Sequence, residues 1–491
     1  MSSTGSFNIF SFKGKMKILH LSWFAFFITF FVWFNFAPLL QAVKESLGLT
    51  TAEIKTLLIL NVAFTIPARV VIGMLTDKYG PRIVYATLLA ISSIPCFVFA
   101  FADNFVQAAI ARFALGFIGA GFVVGIRLVS EWFPHNELGT AEGIYGGWGN
   151  FGSAAAAFTL PTVALMFGGE DGWRYAMAIT GVMSLGFAFV FYANVTDTPK
   201  GATYFKPKNL TAMEVTSKGD FFLLLIMKLP MYGALALLAW KLSPSGVGML
   251  EESMVAGINI ALAVVYLYEV TQVWKVNKHV FEKPVPEIHR YKFKQVAVLN
   301  VLYFATFGSE LAVISMLPLF FSDTFELTPV MAGMVASAYA FMNLMSRPGG
   351  GWISDKFGRK PTLLILTAGL AVGYFLMGQV ESSWPVWLAV LAAMACSFFV
   401  QAGEGAVFAT VPLIKRRMTG QIAGMTGAYG NVGAVCYLTI LSLVDYSTFF
   451  YVIAATAVVG FITLLMMEEP RGQIAEVNDD GSVTMIDVAK S

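Results

Sequence analysis

Five cationic residues lie inside long apolar runs: Arg69, Arg112, Arg127, Lys228 and Arg347. A charge in such a run is costly enough that each is a functional candidate until a partner is named for it. Two of the five are copies of one another. Arg69 begins R-V-V-I-G-M-L-T-D-K-Y-G-P-R and Arg347 begins R-P-G-G-G-W-I-S-D-K-F-G-R-K, so Gly73, Asp77, Lys78 and Gly80 fall on Gly351, Asp355, Lys356 and Gly358. Each arginine precedes its aspartate by eight residues. At 1.5 Å per residue it lies about 12 Å inside the apolar layer, near the middle of a hydrocarbon core about 30 Å thick. Two guanidinium groups that keep their protons and face each other across a repeat repel. The site therefore asks for an anion, and a planar fork offers a flat anion two parallel donors.

A second repeated pair, G-G-W-G-N-F-G at 146–152 and G-A-Y-G-N-V-G at 427–433, carries Asn150 and Asn431. Buried amides need hydrogen-bond partners, which makes both asparagines candidates for the same site. Two acids could carry a proton, Glu310 ahead of Glu404. Glu310 follows Phe307 and Tyr303 by three and seven residues, hence shares their helical face. Glu404 precedes Lys415 by eleven residues, which places it about 16 Å deep. Arg112 and Arg127 lie on the fourth apolar run, with Glu131 one turn beyond Arg127, and read as structural or gating pairs. Asp77 and Asp355 can each hold a neighbouring helix end by charge-assisted hydrogen bonds. His20, His135, His279 and His289 fall at or outside the edges of the runs, and Cys96, Cys396 and Cys436 form no spaced pair. No metal-ligand set, cofactor motif or nucleophile triad is visible, so neither a metal nor an enzyme is expected.

The elements that must position these residues are set by composition. Of 491 residues, 57% are hydrophobic and 13% charged, with a mean hydropathy of +0.70. Soluble domains carry about 25% charged residues, so this chain must be solvated by a lipid bilayer, with apolar runs of about 20 residues as spanning helices. A net charge of +2 leaves no footprint for nucleic acid. Fourteen runs fall near 18–43, 56–76, 83–102, 107–133, 140–167, 173–195, 221–242, 254–274, 295–322, 330–353, 362–380, 384–414, 419–443 and 448–467. Lys and Arg concentrate in the loops that are cytoplasmic when the N-terminus is inside, and only Lys44, Lys55, Arg174 and Lys241 sit at the outer edges. Both termini are thus expected in the cytoplasm. The repeats divide the chain into a cytoplasmic N-terminus (1–17), a six-helix half (18–195), a central linker (196–294) with an inserted hydrophobic hairpin (221–274), a second six-helix half (295–467) and a cytoplasmic tail (468–491). An inserted pair of spans preserves the orientation that parallel repeats require. Lys228 and Pro230 in its first segment suggest a broken or peripheral helix.

The paired G-x-x-x-D-K-x-G loops, the arginine runs and the two Gly-Asn-Gly runs resemble the nitrate/nitrite porter family of the major facilitator superfamily, and within it the cyanobacterial permeases. The resemblance covers most of both halves. It implies an all-α integral membrane protein with the major facilitator fold, in the plasma (inner) membrane, with nitrate and nitrite as ligands. It further implies that Arg69 and Arg347 clamp the anion beside Asn150 and Asn431, with aromatic rings around it at Phe36 (F-V-W-F-N-F-A), Phe122 (G-A-G-F), Tyr303 and Phe307 (L-Y-F-A-T-F-G-S). Elementary chemistry agrees, because nitrate is flat, singly charged and weakly hydrated. Chloride would gain less from a fork, while phosphate or sulfate would bring more charge than two arginines neutralise comfortably. Alternating-access import coupled to protons is the expected function. Nitrate/nitrite exchange and carriage of another small planar anion are transporter alternatives. An anion-binding membrane sensor is the alternative from a different class. Oligomeric state is not legible.

Overall fold

The computed structural model describes residues 7–168, 171–207, 211–477 and 483–487. Each of the fourteen apolar runs is helical, and several are interrupted at places that matter for the site. In the first half, α1 (Gly14–Trp33) is followed by a turn and the short α2 (Leu40–Leu47). The second run is split into α3 (Thr51–Ala63) and α4 (Thr65–Tyr79). Thr50 starts α3 with a capping box, its hydroxyl accepting from Glu53 N while Glu53 returns to Thr50 N. Then come α5 (Pro81–Ala100), α6 (Phe105–Leu115), a 3₁₀ stretch Gly116–Ala120, α7 (Gly121–Trp132), α8 (His135–Phe167) and α9 (Gly172–Asn194).

The inserted hairpin is α10 (Lys218–Leu242) and α11 (Glu252–Asn277), followed by the single turn α12 (His279–Glu282). The expected break in α10 is absent: the helix runs unbroken through Pro230. Lys228 is paired with Glu269 of α11 at 2.9 Å, so this lysine is neutralised within the hairpin. α10 packs on the second half, where Tyr429 donates to the Met227 carbonyl at 2.6 Å, and α11 packs on α10.

The second half repeats the pattern with α13 (Phe293–Phe325), a split run α14 (Pro329–Phe341) and α15 (Asn343–Phe357), then α16 (Arg359–Met377), α17 (Val386–Phe408), α18 (Thr419–Leu441) and α19 (Tyr446–Leu464). An antiparallel ribbon, β1 (Gln473–Val477) with β2 (Val483–Asp487), lies in the tail and is the one departure from all-helical structure among the described residues. Twelve helical segments among the described residues are long and apolar enough to cross a membrane. The two remaining runs are α14–α15 and the glycine-rich α18, whose small and polar residues are those that build the centre.

The splits fall in register. α4 begins at Thr65 and α15 at Asn343, each four residues before its arginine. The turns after them also match: Gly80 and Gly358 sit at φ 90° and 98°, a conformation that favours glycine. The helix that follows each turn is capped by a carboxylate from beyond the sixth span of its own half. Asp197 accepts from Arg82 N at 2.7 Å, and Glu469 accepts from Arg359 N and Lys360 N at 2.6 Å. Burial pushes the Asp197 carboxyl up from its ordinary value. The halves meet along α4 against α18 and α15 against α8.

Candidate functional site

Arg69 on α4 and Arg347 on α15 are both fully buried and both rest on the same ring, Phe122 of α7, with guanidinium carbons 5.5 and 5.0 Å from its centroid. Arg69 also faces Phe307 at 4.8 Å and Trp33 at 6.0 Å. Phe122, Tyr303 and Phe307 form a near-parallel stack, with 6° between the first two planes and 11° between the last two. Phe408 closes one side, edge-on to both Phe122 and Tyr303.

The arginines differ in what holds them. Arg347 donates from Nη1 to Glu404 at 2.5 Å and from Nη2 to the Tyr303 hydroxyl at 3.1 Å. Arg69 has no carboxylate within ion-pair distance among the described residues. Its Nε donates to the Gly119 carbonyl at 3.1 Å and its Nη1 to the Gly427 carbonyl at 2.7 Å, while Nη2 is buried without a partner. One guanidinium is thus neutralised and the other carries an unmet positive charge and an unused donor, an arrangement that suits one monovalent anion.

The glycine-rich runs supply space as well as close approach. A Cβ on Gly427 would meet Arg69 Cδ at 3.0 Å, and a Cβ on Gly146 would meet Arg347 Nε at 2.5 Å. These glycines are 281 residues apart, and each faces the arginine of the opposite half. Four residues on from each stands an asparagine. Asn431 shares the Gly427 carbonyl with Arg69, donating at 3.2 Å, and its Oδ1 is unpartnered. Asn150 is buried with both amide atoms unpartnered.

The remaining candidates separate into two groups. Asp77, at the end of α4, accepts from Gly420 N and Gln421 N at 3.0 and 2.9 Å, and Asp355, at the end of α15, accepts from Gly139 N and Thr140 N at 3.0 and 2.8 Å. Asp77 thereby caps the first turn of α18, where the helix dipole favours an anion, while Asp355 holds the amides of the fifth and sixth residues of α8, so each reaches a helix of the other half. Arg127 lies against Asp77 at 3.4 Å and Glu131 at 3.1 Å, and donates to the carbonyls of Arg416 and Phe205. These contacts form a clasp across one face of the molecule. Glu310 accepts from Asn343 and, at 3.5 Å, from Gln401, and its carboxyl neighbours that of Glu404.

One expectation, that for Phe36, is corrected by these positions. Phe36 packs on Phe99 at 5.7 Å and under Arg112 at 5.2 Å. α1 ends at Trp33, so the chain turns before Phe36, and Trp33 takes the place beside Arg69. Arg112 has no acidic partner among the described residues. It donates to Asn35 Oδ1 at 2.8 Å and to the Trp33 carbonyl at 3.0 Å, so the negative end of α1 stands in for the carboxylate.

The profile of the Major Facilitator Superfamily matches residues 22–271 and 299–483. A nitrate/nitrite transporter of Picosynechococcus, NrtP, is 47% identical over 516 residues, covering 96% of this chain and 96% of the relative. The chain belongs to the nitrate/nitrite porter family of the major facilitator superfamily. Another family member, the NrtP of Nostoc punctiforme, is 46% identical with 95% of each chain covered. The high affinity nitrate transporter 2.5 of Arabidopsis thaliana is 30% identical over 88% of this chain and 74% of its own. Among solved structures, the proton:xylose symporter XylE superposes with a TM-score of 0.60 at 14% identity, over 93% of this chain and 96% of that one, and the human organic anion transporter MFSD10 with 0.61 at 12% identity, over 92% and 100%. At those identities the likeness is one of fold. This porter is thus a multi-pass membrane protein of a transporter family.

Several residues of the centre have no motif that singles them out. Trp33 lies three residues before Phe36 in the same aromatic run, a signal present but ambiguous. Phe408, Asn343 and Gln401 reach the centre only because α17 and the α14–α15 break converge there. Outside the centre, Glu142 is buried on α8 near the start of the 140–167 run, where no motif singles it out.

Proposed function

We propose that this porter imports nitrate and nitrite across the plasma (inner) membrane by alternating access, the two halves rocking about one central anion, with both termini cytoplasmic. The observation that carries the reading is the pair Arg69 and Arg347, brought from opposite halves onto Phe122, with only Arg347 neutralised by a carboxylate. A flat monovalent anion matches both the net charge and the near-parallel rings of Phe122, Tyr303 and Phe307. Arg69, Arg347, Asn150 and Asn431 bind it, Asp77, Asp355, Arg127 and Glu131 close the cytoplasmic side, and the names of the relatives support nitrate and nitrite as ligands.

Import is coupled to protons in this reading. Nitrate is the anion of a strong acid and does not protonate in the site, and its inward movement costs about 2.3 kcal/mol per 100 mV of inside-negative potential. Glu404 is placed to supply the coupling. Nitrate competes with it for Arg347, and a carboxylate displaced from its arginine in a buried site is stabilised by taking up a proton. Glu310, its neighbour, is the second carrier. Labelled-nitrate uptake into proteoliposomes, with pH gradient and voltage set independently, tests this. The expected result is uptake that rises with an inward proton gradient and is accompanied by proton influx. An absolute requirement for internal nitrite, with no current and no proton movement, would replace symport by exchange.

A further inference from the structure

Glu142 on α8 is 2% exposed, and among the described residues neither of its carboxyl oxygens has a hydrogen-bond partner. It belongs to neither the anion centre nor the clasp, yet it lies between them. Gly146, four residues along the same helix face and about 6 Å away by helical rise, abuts Arg347. Gly139, three residues in the other direction, is held by Asp355. The charged groups that face Glu142 are Arg359, Asp355 and Arg416, and each is engaged elsewhere. Asp355 accepts from Gly139 N and Thr140 N and pairs with Arg359 at 2.7 Å, Arg359 also donates to Ser354 and to the His135 carbonyl, and Arg416 pairs with Glu131 at 3.6 Å.

A carboxyl retained only to hold the clasp would bond to it, and this one does not. Nor does the fold demand an acid there, because the repeat-related position, 281 residues on, is Ala423. Burying an ionised carboxylate without a partner is costly, so the closed clasp accommodates the neutral acid. An ionisable side chain placed in a membrane-spanning segment without a structural bond marks a proton or ion route.

We propose that Glu142 is the carboxyl through which the coupled proton leaves the anion centre for the cytoplasm. The proposal rests on the proton-coupled reading above. When the clasp opens, water reaches Glu142, its O–H bond breaks, and the proton passes to the cytoplasm, leaving a carboxylate facing Arg359 and Arg416. Glu404, protonated since nitrate displaced it from Arg347, then gives its proton through water to Glu142. The new Glu404 carboxylate takes back Arg347 and expels nitrate. Reclosure seals Glu142 as the neutral acid. For each proton that enters at Glu404 from outside, one leaves at Glu142 inside.

The test compares the parent, Glu142→Gln and Glu142→Asp in proteoliposomes, measuring nitrate binding, nitrate–nitrate exchange, and net uptake with proton influx under an imposed pH gradient. Glu142→Gln is expected to keep binding within about twofold and to retain exchange, while net uptake and proton influx fall at least tenfold. Glu142→Asp should restore part of the influx with a shifted dependence on internal pH. Parental net uptake and influx in Glu142→Gln would overturn the assignment, as would loss of exchange and net uptake together in both variants. A parent that moves no protons would overturn the coupling reading itself.

Discussion

Replacing Arg69 by lysine keeps the charge and removes the fork. Arg69 commits two donors to the fold, Nε to Gly119 at 3.1 Å and Nη1 to Gly427 at 2.7 Å, and leaves Nη2 unused. A lysine presents its three donors from a single point. It can hold the Gly427 carbonyl or face the anion, but it cannot reproduce both with the geometry of a planar fork. Gly427 would still accept from Asn431, so the structural penalty is modest and the loss falls on the ligand. A hydrogen bond to a charged group contributes about 1.5–3 kcal/mol, and 1.4 kcal/mol is tenfold in affinity. Arg69→Lys should therefore weaken nitrate binding roughly 10- to 150-fold while the protein remains folded and inserted. Equilibrium binding of labelled nitrate to the purified protein, with thermal unfolding as the control for folding, measures this directly. A folded Arg69→Lys variant that binds within threefold of the parent would show that charge alone attracts the anion, and the fork argument would be wrong.

Arg347→Lys should lose transport to a similar degree, since the Tyr303 bond and the Glu404 pair cannot both be kept by one ammonium; parental uptake in a folded variant would contradict this. Glu404→Gln should bind nitrate but uncouple it from protons, with Glu310→Gln giving a smaller effect; simultaneous recordings of nitrate and proton fluxes decide, and unchanged coupling in both would remove these residues from the pathway. Asp77→Asn and Asp355→Asn each weaken charge-assisted bonds to the amides of a helix in the opposite half. At about 0.3–1 kcal/mol per interaction, each should shift the resting population toward the inward-open state, seen as faster labelling of a cysteine placed on the cytoplasmic side of α8; slower labelling would argue against a clasp. Replacing residues 220–275 by a flexible linker should leave nitrate uptake measurable, because α11 packs on α10 and both halves remain. A stable, inserted deletion that no longer binds nitrate would place the hairpin within the functional core.

How much of this was written in the sequence depends on the range over which each interaction acts. The spans are legible because lipid imposes a one-dimensional rule: an apolar run long enough to cross becomes a helix whatever it packs against. The arginine pair and the asparagine pair are legible because the halves repeat, and a spacing of 278 or 281 residues puts equivalent positions at equivalent depth. The matching breaks before Arg69 and Arg347 were not legible, since Phe64 and Met342 are ordinary helix residues and the interruption comes from packing around them.

What only the tertiary structure decided is which partner each buried charge finds. Sequence reasoning put Glu310 ahead of Glu404 because Glu310 shares a helix face with Tyr303 and Phe307; the fold sets Glu404 on Arg347 at 2.5 Å, because α17 packs beside α15 at that height. It put Phe36 on the anion, and the end of α1 at Trp33 turned that ring toward Arg112. It read Arg112 as part of a structural or gating pair without naming its partner, and the fold supplies the Asn35 side-chain oxygen and the Trp33 carbonyl at the end of α1. The sequence by itself determined which residues sit in the membrane, at what depth and in which half, because hydrophobic burial and helical rise act along the chain. Arg347 meets Glu404 57 residues away within its own half and Arg69 meets Gly427 358 residues away in the other, and both contacts exist only once helices that are not neighbours in the chain have packed.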